Sequence, residues 1–236
     1  MKKLMFFCCF YIFYLINIYA CDMVIMVSRN NKPIDSAELR RVLQSLRARG
    51  NFYNPHGWGI VAFDKQGVPI PGYEYIFRNN RWTKRIDPVR YSSNIRAMND
   101  DNYLDAIEQI ISKEPYLVMG HVRQATTGSN NIADPHPYVY QNEQGRYYAF
   151  AHNGTFPYTL YQKANDYVLQ STSDPNFAFS MTGWRHGIDS GYWFRFILSQ
   201  LHEKEWKMAY VMQDLLIDKY DFFEAIGNTI PLNWCA

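Results

Sequence analysis

The sequence predicts a single domain of mixed secondary structure, α/β or α+β, starting at Cys21. Three observations carry this. Two apolar runs of strand length, Asp22–Ser28 and Trp58–Phe63, stand well apart in the chain. Between them Leu39, Val42, Leu43 and Leu46 repeat at helical spacing, while Arg40, Arg41, Arg47 and Arg49 point largely elsewhere. After Cys21 there is no repeat, no low-complexity tract and no linker.

Each element has its local reason. The first strand ends at the turn Asn30-Asn31-Lys32-Pro33, and Asp35 and Ser36 offer caps for the helix that follows. Gly50 stops that helix. Trp58–Phe63 reads as a buried strand closed by the turn Asp64-Lys65-Gln66-Gly67. Residues 67–96 are rich in Pro, Asn, Arg and Tyr, which predicts a weak strand at Tyr73–Phe77 followed by irregular chain. Leu104, Ile107, Ile110 and Ile111 mark a second amphipathic helix. Tyr116–Gly120 and Tyr147–Ala151 read as strands separated by a long polar loop. Trp193, Phe196, Ile197 and Leu201 form a helical stripe, and Trp206–Leu216 a further helix.

The first twenty residues behave differently. Met1-Lys2-Lys3 is basic, Leu4–Ala20 is apolar apart from Asn17, and no acidic residue precedes Asp22. That layout predicts a secretory signal peptide cut after Ala20, and hence a secreted or periplasmic protein with residues 21–236 as one domain. Two rivals stand beside it. The apolar run is at the short end of what spans a bilayer, so an uncleaved anchor would give membrane association. Ile18-Tyr19-Ala20-Cys21 also loosely resembles a lipobox, with Tyr19 bulky for that role.

The whole chain has 236 residues, 24 basic and 22 acidic, and four cysteines. Removal of the leader takes Lys2, Lys3, Cys8 and Cys9, leaving a neutral balance with Cys21 and Cys235. Neutrality excludes a nucleic-acid binder driven by bulk charge. Two cysteines make no disulfide framework, and the apolar content excludes a disordered chain. Redox pairing of Cys21 with Cys235 has no spacing argument in its favour.

Four stretches look costly for a fold alone. Simple cleavage places Cys21 at the N-terminus, with a thiol and a free α-amine on one residue. The amine's reference pKa of about 7.7–8.0 suits it to take the thiol proton. The bland reading is a small buried residue or an acylated lipoprotein cysteine. Second, Ala151-His152-Asn153-Gly154-Thr155 sets a side-chain amide beside a glycine N–H, a donor pair fit for a developing oxyanion. Asn-Gly is equally a turn signal, and Asn153-Gly154-Thr155 a glycosylation sequon. Third, Gly120–Gly128 runs from a strand into a polar loop, where Arg123 can grip a carboxylate bidentately or form a plain surface ion pair. Fourth, Asp189 opens a helix as an N-cap or as a partner for a substrate ammonium. His121, His136 and His152 are far apart in sequence without ligand spacing, so no metal is expected.

Taken together these stretches resemble the class II glutamine amidotransferases, a branch of the N-terminal-nucleophile hydrolases, most of all their single-domain bacterial type. The resemblance runs in order through Cys21, Asn31-Lys32-Pro33, Arg49-Gly50, Asn54-Pro55-His56-Gly57-Trp58-Gly59, Gly120–Gly128, His136-Pro137, Phe150–Thr155 and Asp189-Ser190. It implies a four-layer αββα sandwich, an α+β fold of two antiparallel sheets between helical layers. It implies Cys21 as nucleophile toward the side-chain amide of glutamine or another γ-glutamyl compound, through a glutamyl thioester, with no cofactor. Asn153 and Gly154 match its oxyanion hole, Arg123 its α-carboxylate holder and Asp189 its α-ammonium holder. Arg49 matches an arginine near the nucleophile, and His121 falls within the motif of the binding set. The chain departs from the pattern where relatives often carry Asp before Gly-Trp-Gly, since His56 stands there. It departs again at Gly191, where relatives usually have Glu. Most relatives begin Met-Cys, whereas Cys21 here follows a leader. The alternative from a different class is a non-catalytic binding module of the same fold, lipid- or membrane-anchored, with Cys21 blocked.

Overall fold

In the computed structural model, which describes residues 21–51, 54–125, 136–153 and 189–206, the apolar run after Cys21 forms strand β1, Asp22–Val27. Helix α1, Ser36–Arg49, follows as expected. The Asp35 carboxylate accepts from the Glu38 N–H at its start, and the Gly50 N–H closes its end on the Arg47 and Leu46 carbonyls. Leu39, Leu43 and Leu46 are the buried stripe. Strand β2, Trp58–Phe63, is buried along its whole length, which is why it reads as a continuous apolar run.

Residues 67–96 differ from the sequence reading. Strand β3, Gly72–Arg78, pairs with β4, Arg81–Asp87, and β5, Tyr91–Ser93, inserts between β3 and β2. Asn79 and Asn80 both have positive φ, 56° or less, and form the two-residue turn that closes the β3–β4 hairpin. Strand β4 escapes detection because it is an edge strand exposed almost throughout, so no apolar alternation marks it. Its charges, including the Arg85–Glu74 ion pair, are the usual protection of an open edge.

Helix α2, Asp101–Ile111, is preceded by a short 3₁₀ turn, Ala97–Asn99, and leads to β6, Leu117–Val122. The strands assemble into a six-stranded sheet of order β1-β6-β2-β5-β3-β4, antiparallel except for the β3–β5 pair. It is therefore a mixed sheet, where the resemblance implies antiparallel ones. A separate hairpin joins β7, Tyr138–Gln141, to β8, Tyr147–Phe150. Strand β7 lies in what reads from sequence as polar loop.

Helices α1 and α2 cover one face of the large sheet. Gly120 sits under α1: a Cβ there would meet Leu46 Cδ2 at 2.8 Å and Val24 Cγ2 at 3.3 Å. Side chains alternate along a strand, so Val24, Gly120 and Val122 face the helices and His121 faces away. Met23, Ile25 and Val27 occupy the other, exposed face of β1.

The core turns on Trp58, which is fully buried. Its indole N–H donates to Asp100 Oδ2 at 2.9 Å, and its ring meets Tyr103 edge-on at 4.9 Å. The other Asp100 oxygen accepts from the Asn102 N–H, capping α2. Tyr103 in turn donates its hydroxyl to the Leu43 carbonyl of α1 at 3.0 Å. One buried carboxylate thus fixes a helix start and locks the central strand beneath it.

These elements belong to one unit, Met1–Ala125 with Ser129–Gly154. The second unit, Thr126–Gly128 with Thr155–Ala236, holds helix α3, Asp189–Glu203. Trp193, Phe196, Leu198 and Leu201 are buried in it, and Ile197 is half-buried. Trp206 lies in a turn rather than a helix, and 207–216 lie outside the described residues. Among the described residues no helix is long and apolar enough to cross a membrane, and residues 1–20 are not among them.

Trp58→Phe removes one donor from a buried carboxylate while keeping an aromatic ring. It is expected to cost about 1–3 kcal/mol in urea unfolding. An unchanged midpoint would refute the role given to this bond.

Candidate functional site

The register of β1 on β6 pairs Asp22 with Val122, which carries Cys21 to the point where β6 gives way to Arg123 and Gln124. There the Gln124 N–H donates to Cys21 Sγ at 3.2 Å, and the thiol faces the Gln124 carbonyl at 3.5 Å. Cys21 is buried, and no disulfide to it occurs among the described residues. Its neighbour Asp22 is held from below. The fully buried Asn54 amide donates to Asp22 Oδ2 at 2.8 Å and to the Arg49 carbonyl at 3.2 Å.

The loop leading into β2 grips the same segment. The His56 N–H donates to the Arg123 carbonyl at 3.0 Å, and the Arg123 N–H donates to the Gly57 carbonyl at 2.9 Å. The Ala125 N–H donates to His56 Nδ1 at 2.9 Å. This requires the turn at Gly57, whose φ of 107° and close approach to the Ser93 carbonyl leave no room for a Cβ. Burial, together with the Arg123 and Arg96 guanidiniums, pushes the His56 imidazole below its ordinary range.

Sequence spacing separates three histidines that the fold brings together. The His121 and His136 rings stack at 4.4 Å, and His152 lies 6.5 Å beyond His136. His136 Nδ1 lies 3.2 Å from the His152 N–H, from which it accepts. The His152 carbonyl oxygen is 3.1 Å from the same atom, which donates to it in the other tautomer. His121 is fully buried, and neither ring nitrogen has a hydrogen-bond partner among the described residues. Burial first, then the charge of Arg123, pushes His121 down to about 3, and burial, then the neighbouring His121 and His152, pushes His136 well below its usual value. The rings stack rather than converge, and no group of three or more metal-binding side chains able to hold an ion occurs among the described residues.

The candidate residues are therefore distributed as follows. Cys21, Arg123 and His121 gather at the ends of β1 and β6, with Arg123 buried. Asn153 is exposed just past β8, one residue from the His152 backbone that His136 holds. Arg49 has an exposed side chain and reaches the site through its carbonyl on Asn54. Asp189 is the first residue of α3 in the second unit. Gly154 and Cys235 lie outside the described residues. Sequence reasoning missed Asn54, the Gln124 backbone and the grip of His56. Asn54 and His56 stand in the motif Asn54–Gly59 and Gln124 in the stretch Gly120–Gly128, but residue type alone gave none of them a role.

A buried, hydrogen-bonded thiol thus stands at the start of β1, met by the backbone of the residue that follows the buried Arg123. The family pattern described as class II glutamine amidotransferases matches residues 21–181, and the chain belongs to that family. Comparison with curated proteins and with solved structures returns no match.

The neutral imidazoles make stability depend on pH. An unfolded histidine takes up a proton near pH 6.5, whereas the folded chain resists protonation of His121 down to about 3. The unfolded state holds more protons in that window, so stability falls as pH drops through it. His121→Phe removes the titrating group and breaks no hydrogen bond of its ring to the described residues. It is expected to be at least as stable as wild type at pH 7 and to lose less stability by pH 4.5 in thermal unfolding. An equally steep acid loss in the variant would refute this account.

Proposed function

We propose that the protein is a glutamine amidotransferase-like amidohydrolase, acting outside the cytoplasm on a γ-glutamyl amide, glutamine by default. Its catalytic domain is of the four-layer αββα type, and Cys21 becomes N-terminal when the leader is cut after Ala20. The observation that carries the reading is that the family match begins at Cys21, the residue whose sulfur the Gln124 N–H addresses.

In this reading the Cys21 α-amine takes the thiol proton, and the sulfur attacks the side-chain amide carbon of the substrate. The Asn153 side chain and the Gly154 N–H receive the oxyanion. The amine returns the proton to the leaving nitrogen, which departs as ammonia from glutamine or as an amine from another γ-glutamyl amide, and a glutamyl thioester remains. Water, deprotonated by the same amine, attacks the thioester carbonyl, releasing the acid and restoring the thiol. Arg123 holds the α-carboxylate and Asp189 the α-ammonium, while His121 and Arg49 shape the binding end. The chemistry needs neither metal nor cofactor.

Leader-free protein starting at Cys21 is expected to release ammonia from glutamine, or the amine of the attached residue from a γ-glutamyl peptide. Cys21→Ser should abolish this, and Asn153→Ala should lower the rate roughly 10²–10³-fold. Activity that survives in both variants overturns the mechanism. Intact mass of protein secreted by its own leader should show Cys21 as the first residue. A Met1 start, or a lipid mass on Cys21, favours the anchored binding module instead.

A further inference from the structure

We infer that His56 is a positioning residue for the Cys21 sulfur, acting through the backbone of residues 123–125. The inference deepens the proposed function by adding a residue and a pH response to the same site.

Gln124 is the residue whose N–H donates to Cys21 Sγ and whose carbonyl faces the thiol. The peptide groups on both sides of it are tied to His56: the Arg123 carbonyl accepts from the His56 N–H, and the Ala125 N–H donates to His56 Nδ1. The Arg123 N–H on Gly57 adds a third tie to the same loop. Backbone-to-backbone bonds survive any side-chain change. The Nδ1 bond does not, so the imidazole is the one side-chain element of the clamp. A backbone donor on sulfur favours the thiolate over the thiol, so its aim bears on how readily Cys21 reacts.

The clamp works in one protonation state. Nδ1 accepts from Ala125 only while it lacks a proton; once protonated, it sets donor against donor. Burial and the two charged groups that bear on the ring, Arg96 from the segment before the 3₁₀ turn and Arg123 from the end of β6, keep it neutral to lower pH than an ordinary histidine. The site thereby stays assembled through the neutral range and loosens on acidification.

The test uses the full chain, with iodoacetamide alkylation of Cys21 followed in its own peptide across pH. His56→Ala should alkylate several-fold more slowly than wild type near neutrality, with its profile displaced to higher pH. His56→Asn places an oxygen where Nδ1 stands. It should alkylate within about twofold of wild type near neutrality and show no histidine-dependent fall on the acid side. Equal profiles for wild type and His56→Ala overturn the inference. So does an Asn variant as slow as the Ala variant while both retain wild-type circular dichroism. In glutamine hydrolysis by the processed protein, His56→Ala should lower kcat about 10- to 100-fold and leave KM nearly unchanged. If wild type hydrolyses no γ-glutamyl amide, the proposed function fails, and the alkylation profiles still decide the role of His56.

Discussion

Everything at the candidate site depends on how β1 lies against β6. Antiparallel pairing of Asp22 with Val122 sets the last paired residues of the two strands side by side. Cys21 and Arg123 then leave the ladder together, and the Gln124 N–H meets the sulfur. A slip of one residue would turn every β1 side chain to the opposite face, sending Val24 out of the core and Asp22 away from Asn54. The register is held by the packing that such a slip would destroy. Val24 and Met26 pack on the buried cluster of α1 and α2, and the Asn54 amide binds the Asp22 carboxylate.

The core and the site share these strands but use opposite faces. On β6, Gly120 and Val122 accept helix α1, and the absent side chain of Gly120 lets Leu43 and Leu46 approach. His121 and Arg123 lie on the other side, where His121 stacks on His136. Strand β2 links the two tasks. Its first residue, Trp58, anchors the Asp100 cap of α2, and the residues just before it, His56 and Gly57, hold the segment that addresses Cys21. Two residues of chain thus separate the Trp58–Asp100 bond from the His56 bonds that hold the segment meeting Cys21.

How much of this is legible in the sequence follows from what each residue is doing. Strands β1 and β2 and helices α1 and α2 are legible because burial forces a period on their side chains. Strand β4 is not, because an exposed edge imposes no pattern, although Asn79-Asn80 carried the hairpin signal. Cys21, Arg123 and Asn153 stand out as residue types that are expensive without a purpose. The Gln124 N–H could not, since every residue but proline carries the same donor. The histidine stack was hidden for another reason: His121, His136 and His152 come from three separate segments, and only the meeting of β6 with the β7–β8 hairpin makes them neighbours.

That meeting also sets the charge of the site. Arg123 is buried, and a buried cation raises the cost of any second positive charge nearby. His56 and His121 are pushed toward their neutral forms by burial and then by Arg123, and His136 by burial and then by His121 and His152, with Arg123 adding to it. Near neutrality the imidazoles therefore contribute shape and hydrogen-bonding atoms, and the charge stays with the arginine. In the proposed reaction this arrangement matches a substrate that brings a single carboxylate to Arg123. Neutral His136 steadies the backbone before Asn153, and neutral His56 steadies the backbone beside Cys21. Acidification separates the two: a protonated His56 Nδ1 can no longer accept from the Ala125 N–H, whereas a protonated His136 Nδ1 still donates to the His152 carbonyl, so the tie beside Cys21 is the one that acid opposes.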